Sequence, residues 1–158
     1  MPKFIQHFLN ESSHISSNLD IKNINIFINA ISRCKKNKGR IFFLGVGGSA
    51  GNASHAVNDF KKIVGIEAYA PTDNVSELTA RTNDEGWENI FSEWLITSKL
   101  NKKDIIIVFS VGGGDIKKNI SVNLIKAIKL AKKRKSKVLS IVGKADGYAA
   151  KNSNLSIV

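Results

Sequence analysis

The 158-residue chain contains one cysteine, two prolines and no long apolar run. Its only thiol, Cys34, cannot form an internal disulfide, which is typical of proteins from a reducing compartment. No apolar stretch approaches the roughly 20 residues that a membrane-spanning helix needs, and the N-terminus lacks the apolar core of a secretory signal. These absences predict a cytoplasmic protein that has no membrane partner and in which Cys34 contributes to packing.

Arginine is also scarce, although the formal net charge is +11. Lysine supplies 20 of the 24 basic residues, whereas bidentate recognition of phosphates and bases favours arginine. The lysine clusters at residues 35–38, 102–103 and 132–137 precede expected strands, where solvated turns usually lie. We therefore expect solvated faces that attract anions, and nucleic acid is kept only as a third functional alternative.

Hydrophobic residues make up 42% of the chain, which is enough for one domain with a buried core. We expect residues 1–158 to form a single domain, with N-terminal helices in residues 1–36 and an alternating α/β unit in residues 37–158. Periodicity predicts a first helix at residues 4–19 and a second after Asp20, a favourable N-cap. The apolar face of the first helix is expected to pack on another subunit.

Apolar runs and turn residues predict the remaining elements. Strands are expected at residues 40–44, 66–70, 104–109, 137–142 and 155–158, and helices at 50–62, 87–98 and after Ser121. Thr72 or Asp73 is expected to cap a further helix. Strands separated by helices indicate an α/β fold with a mostly parallel sheet in a three-layer α/β/α sandwich. We also expect that a C-terminal helix covering the last strand is missing or is replaced by a partner.

The stretch most typical of a binding site is residues 41–59, which combines a buried strand, a glycine-rich turn and a helix. Gly45, Gly47 and Gly48 permit backbone angles that other residues resist, and Ser49 is expected to cap the helix. Exposed amides and the positive end of the helix dipole would attract a phosphate. The alternative is a tight connection without a ligand. The spacing matches neither a Gly-Lys-Ser/Thr loop nor the dinucleotide G-x-G-x-x-G pattern.

A second glycine-rich loop follows the strand expected at residues 104–109. It has the sequence Ser-Val-Gly-Gly-Gly-Asp at residues 110–115. Because ligands bind beyond the carboxyl ends of parallel strands, the two loops are expected at the same edge of the sheet. On the helix after the first loop, His55 and Asp59 are four residues apart and therefore on one face. They could share a substrate or a metal, or form an ordinary hydrogen-bonded pair.

Five motifs follow one another along nearly the whole chain. They are Gly45-Val-Gly-Gly-Ser49, His55 with Asp59, Asn83-Asp-Glu-Gly-Trp-Glu-Asn-Ile-Phe-Ser92, Phe109-Ser110 and Val142-Gly-Lys144. Together they resemble the sugar isomerase (SIS) domain family, and within it the phosphoheptose isomerases. The resemblance implies an enzyme that converts sedoheptulose 7-phosphate to a heptose 7-phosphate through an enediol. It also implies a cytoplasmic homotetramer with active sites at subunit contacts, supplying heptose for lipopolysaccharide or capsule biosynthesis.

The resemblance further implies roles for single residues. Asp59 corresponds to the family's glutamate base, and His55 to a histidine that assists catalysis or ligates a metal. The substrate and its phosphate would be bound by Gly47, Gly48, Ser49, Asn52, Asp84, Ser110, Gly112, Gly113 and Ser121. No cofactor is expected to be required. Some members bind zinc, for which His55 and Asp59 would be the ligands.

The chain also departs from the family pattern. Val46 replaces a usual asparagine, and the second loop has an insertion before Ser121. An ionised Asp115 would repel phosphate unless it points away or captures a cation. The resemblance also implies an acid histidine on a C-terminal helix, and we expect this chain to lack that helix. An alternative is therefore a non-catalytic SIS domain that binds a sugar phosphate or a protein partner; in either case we expect a homodimer or homotetramer.

Overall fold

A computed structural model describes residues 2–158. The helices are α1 (Pro2–Ser17), α2 (Ile21–Lys36), α3 (Gly48–Asp59), α4 (Val75–Glu85), α5 (Ile90–Thr97), α6 (Val122–Lys133) and α7 (Tyr148–Asn152). The strands are β1 (Ile41–Leu44), β2 (Ala68–Tyr69), β3 (Ile105–Ser110), β4 (Lys137–Val142) and β5 (Leu155–Ile157). A π-helical turn, Phe60–Val64, continues α3. Each predicted strand is present, although several are shorter than expected.

The five strands form one sheet in the order β2-β1-β3-β4-β5, and every neighbouring pair is parallel. Alternate residues of a strand point to opposite faces of a sheet. Accordingly, Phe42 and Ile106 pack with α5 and α6, whereas Phe43 and Ile107 pack with α2 and α3. Both faces are buried, which explains why β1 is apolar at all four positions. The predicted α/β/α architecture is confirmed.

Helix α1 differs from the others because its apolar side chains are exposed. Phe4 is 74% exposed and Ile15 is 64% exposed. No residue of α1 belongs to either core cluster found within residues 2–158. Neither α1 nor any other helix in this part of the chain is long and apolar enough to cross a bilayer. The predicted apolar face therefore exists, and nothing in the described chain covers it.

The helix caps test the sequence rules locally. Asp20 caps α2 as predicted, because its Oδ1 accepts a hydrogen bond from the Asn23 amide at 3.0 Å. The prediction of Thr72 or Asp73 as the next cap is wrong. Asn74 caps α4, accepting hydrogen bonds at 3.1 Å from the amides of the second and third residues after it. The Asp73 amide instead donates to Ala70, so these residues form a turn before the helix starts.

Cys34 is buried between α2 and the sheet and is 4% exposed. Its Sγ lies 3.5 Å from the carbonyl oxygens of Arg40 and Lys103. Burial, with a smaller contribution from the negative charge of Asp104, raises the pKa of the thiol to about 11. Since the thiolate is the reactive form of cysteine, this thiol is chemically inert near neutral pH.

Candidate functional site

A cleft of about 570 Å³ opens at the carboxyl ends of β3 and β4, beside α3. Its polar side chains are Ser49, Asn52, His55, Asp59 and Ser110. All five were predicted as site residues from the sequence, and the fold brings them together from α3 and the second glycine-rich loop. This position is where ligands bind in open parallel sheets.

The first glycine-rich loop is shaped by two glycines. A Cβ at Gly45 would lie 2.3 Å from the carbonyl oxygen of Ser49, because the first turn of α3 folds back onto the end of β1. Gly47 has a φ of 61°, a left-handed conformation that favours glycine, and it is the residue before α3. The predicted Ser49 cap is wrong, since the turn at Gly47 lets the helix begin at Gly48. The Ser49 side chain instead lines the cleft.

The start of α3 also presents free amides. The N–H groups of Gly47 and Gly48 donate to no backbone carbonyl within residues 2–158. The helix dipole adds partial positive charge at the same place. Free amides and a positive helix end are the elements from which phosphate sites are built, so the start of α3, directly before the cleft residue Ser49, suits an anionic group.

Replacing Gly45 with alanine is expected to destabilise the protein by about 1–3 kcal/mol, because the new Cβ overlaps backbone atoms that cannot rotate away. The matched control is Gly51→Ala, also near the start of α3, where an added Cβ meets nothing within 4 Å. That change should stabilise the helix by about 0.5–1 kcal/mol. Urea unfolding of both variants checks the prediction. Equal effects of the two substitutions would contradict the close contact at Gly45.

His55 and Asp59 are in contact on one face of α3. The distance from His55 Nε2 to Asp59 Oδ2 is 3.3 Å. Asn58 Nδ2 donates a hydrogen bond to Asp59 Oδ1 at 3.2 Å, so both carboxylate oxygens have partners. The His55 side chain is 77% exposed and that of Asp59 is 41% exposed. The carboxylate is thus held in place while remaining open to the cleft, as a proton-accepting group must be.

The helix changes geometry directly after Asp59. The π-helical turn Phe60–Val64 ends at Gly65, which has a φ of 65°. Lys35 Nζ donates a hydrogen bond to the Val64 carbonyl oxygen at 2.6 Å and so ties this turn to α2. π-Helical turns occur frequently beside functional sites. Asp59 therefore occupies the junction between regular and widened helix.

The second glycine-rich loop is held by its own side chains. Ser110 Oγ accepts a hydrogen bond from the Gly113 amide at 3.0 Å. Asp115 Oδ1 accepts from the amides of Lys117 and Lys118, at 2.9 and 3.1 Å. A backbone bridge between Asp115 and Ile120 closes the inserted residues into a small loop. One oxygen of the Asp115 carboxylate is therefore occupied by backbone donors of the insertion.

Other predicted binding residues do not line this cleft. The Asp84 Oδ1 accepts a hydrogen bond from its neighbour Asn83, near the end of α4. Ser121 lines a different depression beside Trp87, and Gly112 lines a separate cavity on the other side of the second loop. A Cβ at Gly113 would lie 3.2 Å from Gly147 Cα, so that glycine is needed for packing. Gly47 and Gly48 do not line the cleft either and directly precede Ser49, which does. The ligand-binding roles of all six residues stay predictions.

The apolar wall of the cleft was missed by sequence reasoning. Phe60, Phe109 and Ile141 contribute to it. Ile141 is 41% exposed although its neighbours in β4, Ser140 and Val142, are buried. A large apolar residue that is exposed between buried neighbours is typical of a site, but its exposure depends on which helices cover the sheet. The strand's own sequence does not contain that information.

The family resemblance suggests a zinc ion bound by His55 and Asp59, but the cleft offers too few protein ligands for it. Within residues 2–158, no group of three or more His, Cys, Asp or Glu side chains could hold a metal ion. Zinc sites use at least three protein ligands, whereas His55 and Asp59 offer two. The described residues of a single chain therefore do not fit a resident zinc ion.

Comparisons with known sequences agree with this geometry. The family model described as SIS domain matches residues 4–143. The phosphoheptose isomerase of Helicobacter pylori strain P12 is 30% identical over 128 residues, which are 78% of this chain and 63% of that protein. The phosphoheptose isomerase of Neisseria meningitidis serogroup C is 32% identical over 123 residues, or 75% of this chain and 59% of that protein. The chain thus spans less than two thirds of these curated relatives.

A solved structure shows the same fold. Phosphoheptose isomerase GmhA from Neisseria gonorrhoeae superposes with a TM-score of 0.85 at 24% sequence identity. The superposition covers 99% of this chain and 84% of that chain. The agreement extends over both layers of helices and the parallel sheet.

Proposed function

The chain belongs to the SIS domain family, and we propose that it is an aldose–ketose isomerase acting on a phosphorylated sugar. The proposed reaction interconverts sedoheptulose 7-phosphate and a heptose 7-phosphate. We propose that it takes place in the cytoplasm and supplies heptose for lipopolysaccharide or capsule biosynthesis. The observation that carries the proposal is the contact between His55 and Asp59, 3.3 Å apart in a cleft that Ser49, in the first turn of α3, also lines. This cleft combines a proton acceptor with a place for a phosphate.

The proposed mechanism moves one proton between adjacent carbons. Asp59 takes the proton from C2 of the open-chain aldose while the C1 carbonyl oxygen is protonated, which gives an enediol. Removing the proton from the C2 hydroxyl and returning one to C1 then yields the ketose. His55 holds the carboxylate in position. We propose that the phosphate is bound by the amides of Gly47 and Gly48 and by the Ser49 hydroxyl.

The reaction also needs an acid at the carbonyl oxygen. Among the described residues, His55 and Asp59 are the only ionisable side chains that line the cleft. We propose that a second copy of the chain completes the site. No metal is expected to be required, because general acid and base groups suffice for enediol chemistry.

Incubation with sedoheptulose 7-phosphate in deuterated water tests the proposal. Deuterium is expected to enter C1 of the ketose, and an aldose signal should appear in the proton NMR spectrum. Chelator treatment should leave the rate unchanged. If the protein binds the sugar phosphate but catalyses no exchange with or without added zinc, the isomerase proposal is wrong.

The alternative is a non-catalytic domain that binds a sugar phosphate or a protein partner. It is favoured because the described residues that line the cleft include no ionisable side chain besides His55 and Asp59 that could protonate the carbonyl oxygen. Calorimetry with sedoheptulose 7-phosphate and with sedoheptulose separates phosphate recognition from sugar recognition. Equal affinity for the two compounds would contradict a phosphate site at the start of α3.

We also propose a homodimer or homotetramer. The exposed apolar face of α1 would be covered by another copy, because apolar patches of this kind usually mark interfaces. The chain is expected to sediment as an oligomer at micromolar concentration. The double substitution Phe4→Ser and Phe8→Ser, on side chains that are 74% and 59% exposed, should shift it toward monomer. A wild-type monomer would contradict the proposal.

A further inference from the structure

A second cavity lies on the other side of the second glycine-rich loop. It has a volume of about 450 Å³ and lies between the inserted residues 115–120 and helix α7. Ser110 and Val111 of this loop line the first cleft, whereas Gly112 and Gly114 line the second cavity. The loop is thus the wall between two separate spaces, and only the first contains the His55 and Asp59 pair.

The second cavity is positively charged. Four lysines line it: Lys117, Lys118, Lys144 and Lys151. None of them forms an ion pair within the described part of the chain. Two aspartates also line the cavity, but Asp115 already accepts two backbone hydrogen bonds from the inserted loop. Four ammonium groups around two carboxylates leave a formal excess of two positive charges.

The lysines come from two different walls. Lys117 and Lys118 belong to the inserted loop, while Lys144 follows β4 and Lys151 lies on α7. The walls are fixed to each other through backbone contacts. The amides of Tyr148 and Ala149 donate to Gly114 and Gly113 at 2.9 and 2.8 Å. These amides are consequently occupied, so an anion would be recognised by the lysine side chains.

Glycine makes this fixed arrangement possible. A Cβ at Gly147 would lie 2.4 Å from the carbonyl oxygen of Gly112, and one at Gly114 would lie 3.2 Å from the Ile125 side chain. Any larger residue at Gly147 would push the two walls apart. The cavity is therefore already formed in the folded chain, and a ligand would not have to open it.

We propose that this cavity binds a small anion with two linked phosphate groups. A diphosphate carries more negative charge than a single phosphate, so it gains more from four ammonium groups contributed by two walls. Lysine acts as a point charge with rotatable donors, so it suits a phosphate chain better than a planar, bidentate partner. No arginine is among the described residues lining the cavity, which argues against base recognition in nucleic acid. The diphosphate could be free pyrophosphate or part of a nucleotide.

Titration of the full chain with inorganic pyrophosphate, followed by amide NMR, tests the proposal. The expected result is saturable shifts at residues 115–120 and 144–152. Replacing Lys144 and Lys151 by glutamine should lower the affinity about tenfold, since each exposed charge contributes up to about fivefold. The matched control replaces Lys22 and Lys129, two exposed lysines outside the cavity. It should change the affinity less than twofold.

The outcomes distinguish the proposal from its alternatives. Equal loss in the control variant would mean diffuse charge attraction and would overturn it. Orthophosphate binding as tightly as pyrophosphate, or shifts confined to residues 47–59, would also overturn it. If a short oligonucleotide displaced pyrophosphate at equal phosphate concentration, the lysines would be a nucleic-acid site and the proposal would be overturned. Tighter binding of ADP than of pyrophosphate, with shifts at Tyr148, would support a nucleotide source.

The test is independent of the proposed isomerase. The lysine variants are expected to bind sedoheptulose 7-phosphate as the unchanged chain does, because the four lysines do not line the first cleft. Pyrophosphate binding at residues 115–120 in a protein that does not isomerise sugars would support the second site and not the first. The reverse result would support only the first.

Discussion

Replacing Asp59 with asparagine is expected to lower the rate of proton exchange at the substrate carbon by about a hundred- to ten-thousand-fold. The amide keeps the size and most of the polar contacts of the carboxylate but cannot accept the proton. Affinity for the sugar phosphate should stay nearly unchanged, because the proposed phosphate contacts come from the start of α3. NMR exchange in deuterated water measures the rate, and calorimetry measures the affinity.

The control for this variant is Asp73→Asn. Asp73 is exposed in the turn before α4, and its carboxylate is not among the groups that line the cleft. It carries the same charge change, so any effect of net charge on the rate appears in both variants. Similar exchange rates for wild type and the Asp59→Asn variant would contradict the assignment of Asp59 as the base. A comparable loss in the Asp73 variant would mean that the effect is not local.

Aspartate is one methylene shorter than the glutamate that the resemblance implies at this position. The Asp59→Glu variant therefore reports on how the substrate lies relative to α3. If the cleft is built around the shorter side chain, lengthening it should reduce the rate while leaving the proton acceptor present. The contact from His55 to Asp59 at 3.3 Å would have to change in that variant.

The fold could be predicted from the sequence because local patterns and tertiary packing agree. The apolar run at residues 41–44 can only be buried on both sides, and the equally apolar run at 105–108 pairs with it in register, Ile41 opposite Ile105. The short β2 was predicted too long, since only Ala68 and Tyr69 pair with β1. The length of a strand depends on where a neighbouring strand is available for pairing. The apolar pattern of residues 66–70 extends beyond the two paired residues and therefore overestimates the strand.

The candidate site could be predicted where helix spacing or the shared edge of a parallel sheet fixes geometry, and Ser110 is an example of the second case. His55 and Asp59 meet because residues four apart share a helix face. Asp84 and Ser121 have no such constraint, and their distance from the first cleft follows from how α4 and the inserted loop pack. The second cavity could not be foreseen, because its lysines are separated by up to 34 positions and are brought together by backbone contacts at Gly113 and Gly114.

Removing the buried carboxylate of Asp104 is expected to have the largest effect on stability. Asp104 is 2% exposed at the start of β3. Its Oδ1 accepts hydrogen bonds from the Arg40 amide and Nε at 3.0 and 3.2 Å, and its Oδ2 accepts from Arg40 Nη2 at 2.8 Å. Asn101 donates to the same Oδ2 from its amide and its side chain, at 3.1 and 2.9 Å. This carboxylate therefore joins the beginnings of two central strands.

The ion pair between Asp104 and Arg40 also affects the pKa of the arginine. The hydrogen bond that Arg40 donates to Asp104 raises the pKa of Arg40, against the opposing effect of partial burial. Arg40 therefore remains charged at all accessible pH values, and its guanidinium would lose its counter-charge if the carboxylate were removed. Breaking a buried pair on one side costs more than the pair contributes, because the remaining charge is left without compensation.

The Asp104→Ala variant is accordingly expected to lose about 3–5 kcal/mol of unfolding free energy. That is a large fraction of the roughly 5–15 kcal/mol available to a domain of this kind. Urea unfolding measures the loss, and Asp73→Ala, which removes an exposed carboxylate, should stay within about 0.5 kcal/mol of wild type. A second variant, Asp104→Asn, retains one acceptor oxygen and should fall between them. Asp104 lines neither cavity, so folded Asp104→Asn protein should still bind sugar phosphate. If the alanine variant lost less than about 1 kcal/mol of unfolding free energy, the structural role assigned to this carboxylate would be contradicted.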